Sequence, residues 1–309
     1  MKRIATVGGL LVGATALTVA ASGGGDAPSR PKITGIAAVQ IRTTVFDKSV
    51  EFYSSLVGKS LPTAEPNTST EDAEHQATFS LPSGQTLRVG SFAAPGPYPM
   101  VNDVAFFTDD ASALLRYLQS QGVEAQTFGK GSMAGVRVQD PEGHRLTFFR
   151  RSPDAKRQSE INAAGEQLPI LHVGFVVANR EKMDHFYKEI LGFRLYWQGG
   201  MNDERVDWVS MQVPNGTDWI EYMLNVPENA NKHLRGVMNH IALGAADVRA
   251  AAERWKKNGG TLVEAPKIGR DGKWQLNLYD PDETRVELMG FTPVEKPCCA
   301  EFTGPHPKP

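Results

Sequence analysis

Four residues in the second half of the chain, His172, Glu221, His240 and Glu287, have the types and spacing of a metal-ligand set. Each sits in a short apolar stretch of strand character: Leu171–Val177, Trp219–Leu224, His240–Leu243 and Arg285–Met289. The histidines are 68 residues apart and the glutamates 66, so one His–Glu pair is repeated. Singly, a strand histidine is ordinarily a hydrogen-bonded core residue and a strand glutamate ordinarily faces water. Alternation, however, places His172 on a face with Gly174 and Val176, and Glu287 on one with Met289. An unpaired carboxylate on such an inward face is costly, and a cation shared by both glutamates and both imidazoles removes the cost. Imidazole and carboxylate donors suit one divalent first-row ion (Zn, Fe, Mn, Ni or Co), with positions left for water or substrate.

Around these four, Trp219 and Met223 flank Glu221 on its own face, Met289 neighbours Glu287, and Gln275, Asn277 and Tyr279 alternate along an adjacent stretch. Together they predict a medium-sized, mainly apolar substrate pocket with a few polar handles. Arg205, Lys267, Arg270 and Lys273 fall in loops, where they suit an anionic group, though loop cations are usually just solvated.

The elements that must carry these residues repeat. Leu171–Val177 reads as a strand and Arg180–Leu191 as an amphipathic helix with Met183, Phe186, Tyr187 and Ile190 on one face, stopped by Gly192. Strands Phe193–Trp197, Asp207–Val213 and Trp219–Leu224 follow. The order recurs as strand His240–Leu243, helix Val248–Lys257, and strands Thr261–Glu264, Trp274–Tyr279 and Arg285–Met289, giving βαβββ twice. The first half repeats this larger unit. Val50-Glu-Phe-Tyr53 matches Asp184-His-Phe-Tyr187, Asn102-Asp-Val-Ala105 matches Asn239-His-Ile-Ala242, and Asp140-Pro-Glu-Gly-His-Arg145 matches Asp280-Pro-Asp-Glu-Thr-Arg285. By these offsets His172, His240 and Glu287 correspond to Ala38, Asp103 and Thr147, and Glu221 falls near Arg88–Val89. The first half is therefore expected to hold no such metal and to serve a structural or covering role.

Four tandem βαβββ modules, with an Asp-Pro turn before the last strand, resemble the vicinal oxygen chelate superfamily of glyoxalases, bleomycin-resistance proteins and extradiol dioxygenases. The resemblance spans about Lys32 to Thr292. It implies an α+β fold in which paired modules curve mixed sheets into two glyoxalase-like domains, each open on a concave face. Two His and two Glu at equivalent places are similar to the four-ligand pattern of glyoxalase I-like members. This implies a lyase or isomerase in which Glu221 or Glu287 moves a proton next to a metal-bound carbonyl. The resemblance leaves a second reading, Fe(II)-dependent ring cleavage on His172, His240 and Glu287. Against it, no histidine lies between Gly269 and Leu278, and Tyr279 directly abuts Asp280. A third reading, drug sequestration without turnover, is typical of members lacking the ligands. The substrate and the metal's identity stay open.

Length and composition fit two domains: 309 residues, 40% apolar and 22% charged, with a net charge of −2 and both signs interspersed. No basic stripe points to nucleic acid, so the expected partner is a small molecule, and a homodimer stays open. Residues 1–21, with Lys2 and Arg3 before an uncharged stretch ending Val19-Ala20-Ala21, read as a cleaved signal peptide, hence a periplasmic or secreted protein without lasting membrane association. An uncleaved anchor is the alternative. Residues 22–32 form a linker, 33–151 the first domain, 152–167 a second linker, 168–293 the metal-binding domain, and 294–309 a proline-rich tail. Cys298 and Cys299 are the only cysteines, and a mutual bridge, free thiols, an intermolecular bridge or metal ligation all remain open.

Overall fold

The computed structural model describes residues 28–59, 73–92, 100–129, 134–151 and 168–309. The expected signal peptide, most of the first linker and the whole of the second lie outside the described residues.

The first half runs β1 (Ile33–Thr43), α1 (Phe46–Val57), β2 (Ala73–Ser80), β3 (Thr86–Phe92), β4 (Val101–Thr108), α2 (Ala111–Ser120), β5 (Ala125–Phe128), β6 (Gly135–Gln139) and β7 (Arg145–Arg150). The second half runs β8 (Ile170–Val176), α3 (Arg180–Asp184, continuing as a π-helical segment His185–Ile190), β9 (Arg194–Gly199), β10 (Trp208–Gln212), β11 (Trp219–Met223), α4 (Lys232–Met238), β12 (His240–Gly244), α5 (Val248–Lys257), β13 (Lys267–Ile268), β14 (Trp274–Tyr279) and β15 (Arg285–Met289). The strand that the module order requires between α1 and β2 would fall at 60–72, outside the described residues.

Each half is one mixed sheet, ordered β2-β3-β1-β4-β7-β6-β5 and β13-β14-β15-β12-β8-β11-β10-β9. The first strands of paired modules lie antiparallel at the centre, β1 on β4 and β8 on β12. Each is flanked by the last strand of its own module, running parallel. First strands supply the histidines and last strands the glutamates, so this order brings all four into the middle of one sheet.

One predicted strand differs from expectation. Thr261–Glu264 forms no strand, and the sheet edge there shrinks to β13, just beyond Pro266, which has no N–H to give a ladder. The Glu264 carboxylate takes over part of that pairing, accepting from Asn277 N at 3.1 Å and Asn277 Nδ2 at 2.6 Å. The tail wraps over the second half. Thr303 N donates to Tyr196 O at 2.9 Å, Gln212 Nε2 to Pro305 O at 2.9 Å, and the Tyr196 hydroxyl meets His306 Nδ1 at 2.7 Å. Within it, Cys298 and Cys299 are joined as a vicinal disulfide.

One apolar core, including Ile36, Val39, Phe106, Phe148, Val173, Ile220 and Leu288, runs through both halves. Polar contacts across it are reciprocal. Tyr53 of α1 donates to Asp280 at 3.0 Å, and Tyr187 of the helix after β8 donates to Asp140 at 3.1 Å. Between them the Gln85 amide accepts from Ile170 N and donates to Ile170 O and Ile36 O. The repeated Phe-Tyr and Asp-Pro motifs are thus the clamp between the halves.

Candidate metal centre

Strand register sets the site. Gly174 on β8 is paired with Glu221 on β11 and with His240 on β12, while His172 faces Ala242, which in turn faces Glu287. A Cβ on Gly174 would come within 2.1 Å of the His240 ring, so the residue between the two ligand strands must lack a side chain.

The donor atoms converge. His172 Nε2 and His240 Nε2 are 3.0 Å apart. Glu287 Oε2 lies 3.7 Å from His172 Nε2 and 3.9 Å from His240 Nε2. Glu221 Oε2 lies 3.9 and 3.6 Å from the same two atoms. His172, His240 and Glu287 are a buried group whose ligand atoms lie within 4.8 Å of one another. Both imidazoles are fully buried, and burial pushes their pKa values well down, so they are neutral donors. Burial pushes the carboxyls the other way, Glu221 to about 7 and Glu287 to about 8, partly offset by the Arg285 charge. His240 Nδ1 donates to Met238 O at 3.0 Å, which leaves its Nε2 lone pair directed at the cluster. Ser210 Oγ donates to Glu221 Oε1 at 3.2 Å. Buried, mutually facing carboxyls and imidazoles fit a divalent cation.

The cluster opens on a cavity of about 370 Å³ whose lining includes Trp197, Trp208, Trp219, Glu221, Arg285 and Glu287. Of the residues predicted for the substrate pocket, Trp219, Gln275, Asn277 and Met289 line it. Met223 does not. It is buried, 2% exposed, at the end of β11. Tyr279 lines a separate surface depression with Phe52 and Trp255, at the far end of β14. Of the cations expected in loops, Lys267 falls instead in β13; it and Arg270 line the cavity but are held by Glu264 and Asp203, and Arg205 is paired with Asp207.

Lys273 lies in a loop as expected but is not solvated. Its side chain is wholly buried, 3.1 Å from the Tyr196 hydroxyl and 4.6 Å from the Trp219 ring centre, and lines the cavity. Arg285, Ser210, Tyr196 and Phe302 are site residues that the sequence reading missed. Only Arg285 left a local signal, since it sits two residues before Glu287 and so on its face.

The first half carries the corresponding positions in matching register: Ala38 faces Ala105, which faces Thr147, and Gln40 lies between Arg88 and Asp103. Asp103 is buried there with Thr147 Oγ1 donating to it at 3.2 Å. Burial pushes its carboxyl up to about 6 against the opposing pull of Arg145, Arg137 and Arg88. Guanidinium groups answer this carboxylate, and no histidine stands at these positions.

A fold of paired βαβββ sheets around a two-His, two-Glu cluster defines a class, and the comparisons agree. The chain belongs to the Glyoxalase/Bleomycin resistance protein/Dioxygenase superfamily, whose model matches residues 35–148 and 169–288. Members of this superfamily are typically metal-dependent enzymes acting on small molecules, lyases and dioxygenases among them. The chain is 23% identical over 124 residues to a lactoylglutathione lyase of Haemophilus influenzae, a match covering 40% of this chain and 92% of that protein. It is 25% identical over 134 residues to a probable chloroplastic lactoylglutathione lyase of Arabidopsis thaliana, covering 42% of this chain and only 38% of the plant protein. Among solved structures, an extradiol ring-cleaving dioxygenase from B. fuscum aligns with a TM-score of 0.62 at 18% identity, covering 85% of this chain and 73% of that one. Homoprotocatechuate 2,3-dioxygenase from Arthrobacter globiformis aligns at 0.60 and 20% identity, covering 86% and 82%. At these identities the structural likeness is one of fold.

Proposed function

We propose that this protein is an exported, metal-dependent lyase or isomerase of the glyoxalase I kind, moving a proton next to a carbonyl of a small organic substrate. The observation that carries the reading is the second carboxylate. Glu221 Oε2 stands within 3.9 Å of both imidazole Nε2 atoms, so four protein donors surround one position where ring cleavage uses three. His172, Glu221, His240 and Glu287 would hold one divalent ion. Such an ion supplies Lewis acidity toward a carbonyl oxygen.

The chain's own residues do the rest. Glu221 lines the cavity, accepts from Ser210, and has 13% of its side chain exposed against 5% for Glu287. Its carboxyl, pushed to about 7 by burial, is poised to take and return a proton near neutral pH. Glu287, pushed to about 8, is the second candidate base. Trp197, Trp208 and Trp219 line the cavity and exclude water, while Gln275 and Asn277 offer amides to orient a substrate.

Fe(II)-dependent ring cleavage is the runner-up, favoured by the fold-level likeness to two-domain dioxygenases. Among the described residues no histidine lines the cavity, and Tyr279 stands outside it. Sequestration without turnover leaves the four ligands without a purpose. The test is reconstitution with Fe²⁺, Zn²⁺, Ni²⁺ or Mn²⁺, then assay of catechols with an oxygen electrode and of α-hydroxyketones and 2-oxoaldehyde adducts without oxygen. Turnover without oxygen that Glu221→Gln abolishes supports the proposal. Oxygen uptake with a catechol, equal in Glu221→Gln, overturns it in favour of ring cleavage.

A further inference from the structure

Arg285 occupies an unusual place in the site. Its Nη2 donates to His240 Nε2 at 2.8 Å, the atom whose lone pair is directed at the cluster. Its Nε is buried with no hydrogen-bond partner among the described residues. The equivalent residue of the first half, Arg145, stands beside Asp103, the counterpart of His240, and draws its pKa down. There the guanidinium answers a carboxylate. In the second half it rests on a neutral nitrogen that would serve a metal.

One lone pair cannot serve both an N–H donor and a cation, and a guanidinium is itself repelled by a divalent ion. Metal uptake at His240 therefore turns Arg285 away. The two carboxylates nearest to it, Glu221 and Glu287, would then be balanced by the ion. Of the other charged groups lining the cavity, Lys267 is held by Glu264 and Arg270 by Asp203. Asp271 accepts from Lys273 N and Gln275 Nε2. What remains is Arg285 and Lys273 against Asp271 alone, a positive balance inside a cavity walled by tryptophans.

We propose that metal binding releases Arg285 from His240 and makes it the anchor for an anionic group on the substrate. The site would then take small carboxylates with an apolar or aromatic body, and take them only once the metal is in place. The inference rests on the metal reading above and adds to it a substrate class and an order of binding.

Phenylacetate and its neutral isostere phenylacetamide are the probes, titrated calorimetrically into the full-length protein with and without Zn²⁺. Zinc-loaded wild type should bind phenylacetate roughly tenfold or more tighter than the amide, the scale of one charge-assisted contact. The metal-free protein should show no such preference. Arg285→Gln should erase the preference while binding Zn²⁺ at least as tightly as wild type, because a competitor for His240 is gone. Arg285→Lys should restore part of it. If Arg285→Gln keeps the preference, or if it binds Zn²⁺ more weakly, the assignment of Arg285 is overturned while the metal site stands. Wild type that binds no divalent ion at all overturns the metal reading itself.

Discussion

The Tyr53 hydroxyl donates to Asp280 at 3.0 Å across 227 residues of sequence, and Tyr187 makes the same contact with Asp140 at 3.1 Å. Each tyrosine belongs to the first helix of one half, and each aspartate to the Asp-Pro turn of the other. All four are buried. Burial and the neighbouring carboxylates hold both phenols well above their ordinary pKa, so they remain donors at any physiological pH.

Tyr53→Phe and Tyr187→Phe should each destabilise the protein by about 1–3 kcal/mol, since each leaves a buried carboxylate with one donor fewer. Reversible urea or thermal unfolding checks this. A single transition should persist in both variants, because the shared apolar core still joins the halves.

Metal uptake should release protons in a pH-dependent way. In the metal-free fold burial holds Glu221 at about 7 and Glu287 at about 8, against 4.5 for an ordinary glutamate. Between those values the folded state holds more protons than the unfolded chain. Stability from these two groups is therefore full below about 4.5 and lost as pH rises toward 8. A bound cation requires both ionised. Calorimetry in two buffers should show Zn²⁺ binding releasing more protons at pH 6 than at pH 9.

Gly174→Ala should empty the site without unfolding the sheet. The added methyl falls 2.1 Å from the His240 ring, which must swing away from the cluster. Elemental analysis of the purified variant should find little metal while its circular dichroism stays unchanged.

Stoichiometry should be one ion per chain, carried by the second half. His240→Ala and Glu287→Ala should each remove it, and Asp103→Ala should leave it in place. Two ions per chain would show that the first half binds metal after all.

Cleavage of the leader should fall near Ala20 or Ala21. Intact-mass measurement of protein expressed with its own leader checks this, and an intact Met1 in a membrane fraction would favour an anchor.

The repeats carried much of this structure in plain view. Helix Val248–Lys257 and strands Trp274–Tyr279 and Arg285–Met289 form over the residues their patterns predict. Register then confirms that Ala38, Arg88, Asp103 and Thr147 stand where His172, Glu221, His240 and Glu287 do. What stayed hidden depends on distant chain. The burial of the loop residue Lys273 was hidden because the rings that enclose it, Tyr196, Trp219 and Phe302, come from three other segments. The tail has no periodicity, and backbone hydrogen bonds hold it down. Alternation alone also could not tell that Met223 and Tyr279, at strand ends, leave the cavity their neighbours line.

The crossed tyrosine–aspartate contacts are those an isologous dimer makes about its axis, here drawn between two copies on one chain. In a dimer of identical subunits both sites must be alike, because one gene specifies both. Covalent linkage lifts that constraint. One copy can exchange its ligands for Ala38, Arg88, Asp103 and Thr147, of which Arg88 and Asp103 balance each other's charge, while still presenting the Tyr53 and Asp140 surface its neighbour needs. The first half thereby acts as a subunit that never dissociates, at an effective concentration that dilution leaves unchanged.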